Sequence, residues 1–199
     1  MSYNSSKSFP AIIGLTGTPG TGKKTIGRKL AEQINYDFCN INQIIIDHEY
    51  FISKDSSSYV VDIVKLKNHL SNNMASKNMI ISGHLLPEVL DSTKVDQVII
   101  LRCSPIILWS RLLSRNYSLN KIKDNVESEL LDLCLFESIN NFGSDKLLEF
   151  NNTEKNPSIV VSDLITIMMS NHSTSTPGIN WLKSLSSSDL FKLESHLSE

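Results

Sequence analysis

Glycines and lysines cluster near the start of the chain, in the stretch GTPGTGKKTIG from Gly17 to Gly27. Its spacing follows the pattern G-x-x-x-x-G-K-[ST], a loop whose backbone N–H groups surround phosphate oxygens. Gly17, Gly20 and Gly22 stand where the backbone must bend sharply and approach a phosphate closely. Lys23 is placed to reach the β- and γ-phosphates of a nucleotide. The stretch therefore predicts a phosphate-binding loop.

The residue after Lys23 departs from this pattern. Lys24 stands where the pattern has a serine or threonine whose hydroxyl ligates Mg²⁺, and an ammonium group cannot ligate a cation. Its charge would neutralise phosphate oxygens locally, which favours nucleotide binding. Mg²⁺ also positions the phosphoryl group in transfer, so binding can survive this change while turnover falls.

The loop lies between a predicted strand and a predicted helix. AIIGLT (11–16) is a short, isoleucine-rich run that ends in a glycine turn, as a buried parallel strand does. Residues 23–34 place Ile26, Leu30 and Ile34 on one stripe of a helix. The helix N-terminus and the N–H groups of the loop would then face the same anion. The alternative is a glycine-rich turn that merely joins strand to helix, and this context favours the phosphate-binding loop.

The rest of the chain alternates predicted strands and helices. Further strands are predicted at residues 36–41, 78–82, 96–102 and 146–150. Further helices are predicted at 60–74 (through Val60, Ile63, Val64, Lys67 and Leu70), from Pro105 with Ser104 as N-cap, at about 120–141 and at 157–169. The polar segment 42–59 is predicted to be a mobile loop or small lid. This alternation indicates βαβ units and a parallel sheet covered by helices on both faces.

Length and composition indicate one α/β domain. Of the 199 residues, 40% are hydrophobic and 20% are charged, as in a soluble globular protein with a single core. The formal net charge of −2 gives no basis for wholesale nucleic-acid or membrane binding, and no apolar run approaches the roughly 18 residues of a membrane span. Three cysteines, far apart in the chain, predict neither a disulfide framework nor a zinc site and favour a reducing cytoplasm.

The two ends of the chain differ in composition from the middle. Residues 1–10 are expected to be a flexible leader, 11–170 the domain, and 171–199 a linker and C-terminal tail. We expect a short tail helix capped by Ser188, either packed on the domain or awaiting a partner. Trp181 would anchor the tail or the partner.

Four stretches carry a resemblance to a known family. They are GTPGTGK (17–23), SGH (82–84), VIILRCSPIILWSRLLSRNYS (98–118) and NVESELLD (125–132). Together they resemble the archaeal "putative adenylate kinases", which are related to the eukaryotic coilin-interacting nuclear adenylate kinase, also called adenylate kinase isoenzyme 6. The resemblance runs from about Ala11 to Met169, and PGINWL (177–182) is similar to the C-terminal end of the archaeal proteins.

This resemblance implies a P-loop nucleoside monophosphate (NMP) kinase with a five-stranded parallel sheet, an NMP-binding insert at about 40–62 and a short lid at about 114–124. The implied substrates are ATP and AMP, with Mg²⁺. Family members are also tied to small ribosomal subunit assembly and rRNA processing through a ribosomal protein of the platform. Such a protein is therefore an expected partner, whereas sequence-specific nucleic-acid binding is not expected.

The resemblance also carries over site residues, position by position. The nucleotide-binding set is Gly20, Gly22, Lys23, Lys24, Thr25, Arg111 and Arg115. Arg115 in SRNY matches the lid arginine of the family's R-G-Y sequence, with Asn116 in place of the glycine. Arg111 lies one helical turn earlier on the same face, so both guanidinium groups could converge on one polyphosphate. The alternative makes both arginines solvated surface residues.

A second departure concerns the metal. Ser82 stands where the family has the aspartate of its D-x-H signature, which orients hydrated Mg²⁺, while His84 retains the histidine. A serine brings no negative charge, so we expect it to hold Mg²⁺ weakly and only through water. The expected catalytic residues are Lys23, His84 and Arg115.

Two functions stay open at this point. The first is an adenylate kinase with ATP on the loop and AMP under residues 40–62, for which ATPase activity and a role in small ribosomal subunit biogenesis are further expectations. The second is an ATP-binding ribosome assembly factor whose kinase activity is weak or lost because of Lys24 and Ser82. AMP-dependent turnover would support the first, and partner-stimulated hydrolysis without AMP dependence the second.

Overall fold

The computed structural model of the chain describes residues 9–54, 59–73, 78–153, 156–170 and 178–198. Most of the predicted leader (1–8) and most of the predicted linker (171–177) lie outside the described residues. The strands are β1 (Ile12–Thr16), β2 (Asp37–Asn40), β3 (Phe51–Lys54), β4 (Tyr59–Val61), β5 (Met79–Ser82), β6 (Gln97–Arg102) and β7 (Leu147–Asn151). The α-helices are α1 (Lys23–Ile34), α2 (Ile41–Asp47), α3 (Ile63–Asn73), α4 (Leu86–Val89), α5 (Pro105–Leu113), α6 (Leu119–Leu130), α7 (Leu133–Phe142), α8 (Pro157–Met169), α9 (Trp181–Ser184) and α10 (Ser187–Ser198).

Five strands form one parallel sheet in the order β2-β5-β1-β6-β7. In this register Leu15 of β1 lies beside Ser82 of β5 and Ile99 of β6. The chain passes from one side of β1 to the other after β5, and parallel sheets bind ligands at the carboxyl ends of their strands beside such a switch point. The sheet therefore places its ligand crevice where β1 and β5 end.

Helices cover both faces of the sheet because the strands are apolar on both sides. On one face α1 and α8 pack on the sheet through residues such as Leu30 and Leu164. On the other face α2, α3, α4 and α7 pack through residues such as Ile45 and Leu66. The predicted P-loop α/β fold with a five-stranded parallel sheet is confirmed. None of the helices in the described ranges has the length and apolar character needed to cross a membrane.

The prediction of an irregular segment at 42–59 is wrong in part. Residues Ile41–Asp47 form α2, because Ile41 and Ile45 lie one turn apart and are both buried. β3 and β4 then form an antiparallel hairpin, and residues 55–58, which contain most of the KDSSS stretch, lie outside the described residues.

The helix predicted at 60–74 begins later than expected. Asp62 accepts a hydrogen bond from the backbone N–H of Lys65 through its Oδ1 atom (3.1 Å), so α3 begins at Ile63. Val60 belongs to β4. The buried side of α3 carries Leu66 and Leu70, and the predicted stripe residue Val64 is 68% exposed.

The helix predicted at about 120–141 is two helices, α6 and α7. They are separated at Asp132, whose backbone is left-handed (φ 58°) and whose carboxylate forms an ion pair with Arg102. A left-handed residue ends the regular hydrogen-bond pattern of a helix. The break therefore turns the Asp132 carboxylate toward a buried arginine.

The tail is docked on the domain. Trp181 is 5% exposed, which supports the docked-tail alternative for this residue. α10 is capped by Ser186, whose Oγ accepts a hydrogen bond from the backbone N–H of Asp189 (3.1 Å), and the predicted cap Ser188 lies inside the helix.

Candidate functional site

The loop between β1 and α1 has a backbone that only glycine accepts without strain. Gly20 and Gly22 have φ values of 98° and 100°. A Cβ atom at Gly20 would lie 2.6 Å from Leu108 Cδ1, and one at Gly22 would lie 2.6 Å from Asn152 Nδ2. Asn152 Nδ2 also donates a hydrogen bond to the carbonyl of Thr21 (2.7 Å). The loop is therefore held closely between α5 and the end of β7.

Lys23 lies at the base of this loop, at the first position of α1. Its Nζ donates hydrogen bonds to the carbonyls of Gly17 (2.6 Å) and Thr18 (2.9 Å). Burial lowers the pKa of Lys23 to about 8, although the nearby Glu129 acts in the opposite direction. Nucleotide phosphates would compete with these two carbonyls for the same ammonium group.

Around the loop is a cavity of about 1030 Å³ at the carboxyl ends of the strands. Eight of the predicted site residues line it: Gly20, Gly22, Lys23, Lys24, Thr25, Ser82, His84 and Arg115. Residues of α2, β4 and α3 line it as well, among them Gln43, Tyr59 and Ile63, together with Asn40 at the end of β2. The size is sufficient for more than one small ligand, since ligand pockets usually measure about 300–1,000 Å³.

The two residues that follow Lys23 in the chain are exposed to solvent. Lys24 and Thr25 are both exposed at the start of α1, and both line the cavity. The ammonium group of Lys24 is therefore available to an anion in the cavity, as its position in the pattern predicts. It adds positive charge where the helix N-terminus already favours anions.

Ser82 and His84 lie beside the loop, on the other side of β1's carboxyl end. Ser82 ends β5 and is 1% exposed. His84 is half-buried, and burial, reinforced by Lys23 and Lys121, lowers its pKa to about 4. His84 is therefore a neutral imidazole at pH 7, able to donate or accept a hydrogen bond but carrying no charge.

The two predicted arginines have different surroundings in this structure. Arg115 is exposed and lines the cavity. Arg111 donates hydrogen bonds through Nη2 to the carbonyls of Asn152 (3.0 Å) and Thr153, and it is not among the described residues that line the cavity. Arg111 therefore braces the segment after β7, and its contact with a nucleotide stays a prediction.

The oxygen donors near the loop suit Mg²⁺ only weakly. No group of three or more His, Cys, Asp or Glu side chains in the described part of the chain could hold a metal ion. The hydroxyls of Ser82 and Thr25 line the cavity, and neutral hydroxyls hold Mg²⁺ less strongly than a carboxylate does. The ion would therefore rest mainly on nucleotide phosphates and water, with these hydroxyls as its protein neighbours.

One buried acid was not predicted as part of the site. Glu129 of α6 is 1% exposed, and its Oε2 accepts a hydrogen bond from Thr18 Oγ1 in the phosphate-binding loop. The sequence does contain a signal for it: Ile122, Val126 and Glu129 share the buried face of α6. A glutamate on an apolar helix face is almost always paired with another polar group.

Fold and site together define the chain as a P-loop protein with the architecture of small-molecule kinases. The chain is similar to a solved structure of shikimate kinase from Bacteroides thetaiotaomicron, with a TM-score of 0.58, 18% sequence identity and coverage of 80% of this chain and 98% of that one. It is also similar to a gluconokinase from Sinorhizobium meliloti, with a TM-score of 0.54, 13% identity and coverage of 81% and 93%. At these identities the likeness shows the fold alone.

Sequence relatives define the family more narrowly. Residues 13–132 match a family model described as an AAA domain. The chain is 36% identical over 164 residues to a "Putative adenylate kinase" from Methanococcus maripaludis, covering 79% of this chain and 88% of the relative. A protein of the same name from Archaeoglobus fulgidus is 30% identical over 178 residues, with 87% and 93% covered. The chain belongs to this archaeal family, which confirms the resemblance to the archaeal proteins.

Proposed function

We propose that the chain is a nucleoside monophosphate kinase that transfers the γ-phosphoryl group of ATP to AMP. One observation carries the proposal: a single cavity is lined by the phosphate-binding loop with Lys23 and Arg115 on one side and by residues of α2, β4 and the start of α3 on the other. A kinase of this type needs donor and acceptor in one cavity, because the transfer is direct and in line. The names of the archaeal relatives agree with this reaction.

Charge in the cavity suggests where the acceptor phosphate would lie. Among the described residues, the cationic side chains of the lining are Lys23, Lys24, Arg115 and Lys121. The insert side contributes amides and apolar groups, such as Gln43 and Ile63. The acceptor base would therefore rest on the insert, and its phosphate would point toward α1 and the start of α6.

The residues of the chain would act mainly by positioning and by neutralising charge. Lys23 would exchange its two backbone carbonyls for phosphate oxygens when ATP binds. Arg115 would approach the phosphoryl group in transfer, where a guanidinium stabilises the charge of the transition state. Mg²⁺, when bound to the nucleotide, would supply further neutralisation and orient the phosphates.

A second candidate function rests on Lys24 and Ser82. An ammonium group at position 24 and a neutral hydroxyl at position 82 would weaken the site for Mg²⁺ while leaving the phosphate-binding loop complete. We therefore keep, as the alternative, an ATP-binding assembly factor with weak kinase activity and a protein of the small ribosomal subunit platform as partner. We also propose, for either function, that the family is related to the eukaryotic coilin-interacting nuclear adenylate kinase.

ADP formation at varied Mg²⁺, with and without AMP, separates the two functions. We expect turnover that depends on AMP, falls with GMP, CMP or UMP as acceptor, and is lost in Lys23→Ala. Turnover that is equal with and without AMP would contradict the kinase and support the assembly factor.

A further inference from the structure

We propose that Trp181, in the C-terminal tail, positions the phosphate-binding loop by acting through the buried carboxylate of Glu129. In this proposal the tail (178–198) is part of the nucleotide site although it does not line the cavity. Glu129 and Trp181 are positioning residues. The proposal rests on ATP binding at the loop, which is one element of the proposed function.

The two oxygens of Glu129 bond in different directions. Oε2 accepts a hydrogen bond from Thr18 Oγ1 in the loop. Oε1 accepts hydrogen bonds from Trp181 Nε1 (3.0 Å), from Arg102 Nε (2.8 Å) and from the backbone N–H of Cys103 (3.1 Å). One carboxylate therefore connects the loop to the tail, across a part of the chain that is nearly inaccessible to water.

At the loop end, this connection reaches Lys23 through Thr18. The side chain of Thr18 is held by Glu129, while its carbonyl accepts a hydrogen bond from Lys23 Nζ (2.9 Å). The same carbonyl accepts a hydrogen bond from Thr21 Oγ1 (2.9 Å). A change in the position of the Glu129 carboxylate would therefore move the peptide that orients the ammonium group of Lys23.

The tail end of the connection contacts a cluster of three carboxylates around one arginine, of which Glu129 and Glu149 are largely buried and Asp132 is partly exposed. Arg102 is 1% exposed and pairs with the three carboxylates of Glu129, Asp132 and Glu149. One guanidinium cannot neutralise three carboxylates, so neighbouring N–H donors must stabilise the rest. The tail supplies two of these donors, Trp181 Nε1 to Glu129 and the backbone N–H of Ile179 to Glu149 (3.0 Å).

Without the tail donors, this excess charge would oppose an anion at the adjacent loop. The donors stabilise the carboxylates in place and keep Glu129 directed at Thr18, so tail docking and phosphate binding favour each other. Burial also raises the pKa of Glu149, while the backbone N–H of Ile179 and the Arg102 guanidinium act in the opposite direction. The ring of Trp181 adds a contact with the Arg102 guanidinium, 5.8 Å from its centroid.

Independent contacts keep the tail on the domain, so that Trp181 can be changed without releasing it. Leu193 of α10 is 2% exposed and packs with α5 and α6. The rings of Trp109 and His196 are stacked, with centroids 4.6 Å apart. A substitution that removes the Nε1–H donor of Trp181 and keeps an aromatic ring there should leave these contacts intact.

The test is Trp181→Phe, which keeps an aromatic ring and removes the donor. Calorimetric titration with ATP should show an affinity about three- to tenfold lower. This is less than the roughly ten- to hundredfold of a hydrogen bond made directly to a charged group, because Trp181 acts on the loop only through Glu129. Phe191→Ala is the matched control, because Phe191 lies in the same tail, is 74% exposed, and should leave ATP affinity unchanged. Unchanged affinity in Trp181→Phe would overturn the proposal.

A double-mutant cycle distinguishes positioning from a general loss of stability. Thr18→Val removes the hydrogen-bond donor to the other oxygen of Glu129. The double variant Thr18→Val/Trp181→Phe should lose less free energy of ATP binding than the two single variants add up to, because both changes act through one carboxylate. Additive losses would overturn the proposal.

Fluorescence provides a readout that does not require a change at Trp181. The chain has two tryptophans, so Trp109→Phe leaves Trp181 alone. Its emission should change during ATP titration with the midpoint found by calorimetry, and a silent Trp181 would count against the proposal. A wild-type chain that binds no ATP would overturn both this proposal and the proposed kinase. A chain that binds ATP without AMP-dependent turnover would refute the kinase alone.

Discussion

Lys23 should take up a proton when ATP binds, in a pH range set by its burial. Burial lowers the pKa of Lys23 to about 8 in the free protein, and bound phosphates raise it again because they favour the charged form. At pH 8 about half of the free molecules carry a neutral Lys23, so binding should take up about 0.5 proton, rising to about 0.9 at pH 9. ATP affinity should fall about tenfold between pH 7 and pH 9, since only the protonated lysine binds phosphate well.

Calorimetry in two buffers of different ionisation enthalpy measures this proton uptake. Titrations at pH 7.5, 8 and 9 lie above the range in which ATP itself changes protonation. Lys23→Met should bind ATP more weakly and show no uptake, whereas Lys67→Met, which removes an exposed lysine of α3, should behave as wild type. A wild-type chain without buffer dependence at pH 8 to 9, or an equal uptake in Lys23→Met, would refute the assignment of this proton to Lys23.

Three further predictions concern the neighbours of Lys23. Arg115→Ala should lower kcat about a hundredfold or more with a smaller loss of ATP affinity, and equal losses in steady-state and binding measurements would reassign it to ground-state binding. Lys24→Thr combined with Ser82→Asp should raise Mg²⁺-dependent turnover by about 1 kcal/mol more than the single changes predict, because both residues would act on one ion; an additive result in the same assay would count against a shared site. Gly20→Ala should lower the free energy of unfolding by about 1–3 kcal/mol in denaturant titrations, because its Cβ would meet Leu108 at 2.6 Å at a positive φ, and a wild-type midpoint would show that the loop can relax.

Sequence patterns predict the parts of the fold that depend on residues close together along the chain. α1 spans the predicted residues 23–34, because its stripe and its glycine turn are local signals. The break at Asp132 was missed because no glycine or proline marks it in the sequence, and the partner of its carboxylate, Arg102, lies thirty positions away along the chain. α2 was missed because Ile44, Ile45 and Ile46 are consecutive and give no clear helical stripe, and only packing on the sheet buries Ile41 and Ile45 while it leaves Ile46 half exposed.

Part of the candidate site can be predicted from the sequence and part cannot. Gly20, Gly22 and Lys23 belong to one short motif, so their spacing alone predicts their proximity. Glu129 contacts the loop at Thr18, 111 positions away along the chain, and Trp181 contacts Glu129 from 52 positions further on. Such contacts are set by the packing of α6 and the tail, which no spacing rule encodes.

The transfer of a labelled phosphoryl group tests the central claim most directly. The chain is incubated with Mg²⁺, AMP and ATP labelled in its γ-phosphate, and the products are separated. The proposed kinase predicts that the label appears in the β-phosphate of ADP formed from AMP, and that Lys23→Ala abolishes it. Label found only in inorganic phosphate, at a rate indifferent to AMP, would contradict phosphoryl transfer to a nucleoside monophosphate.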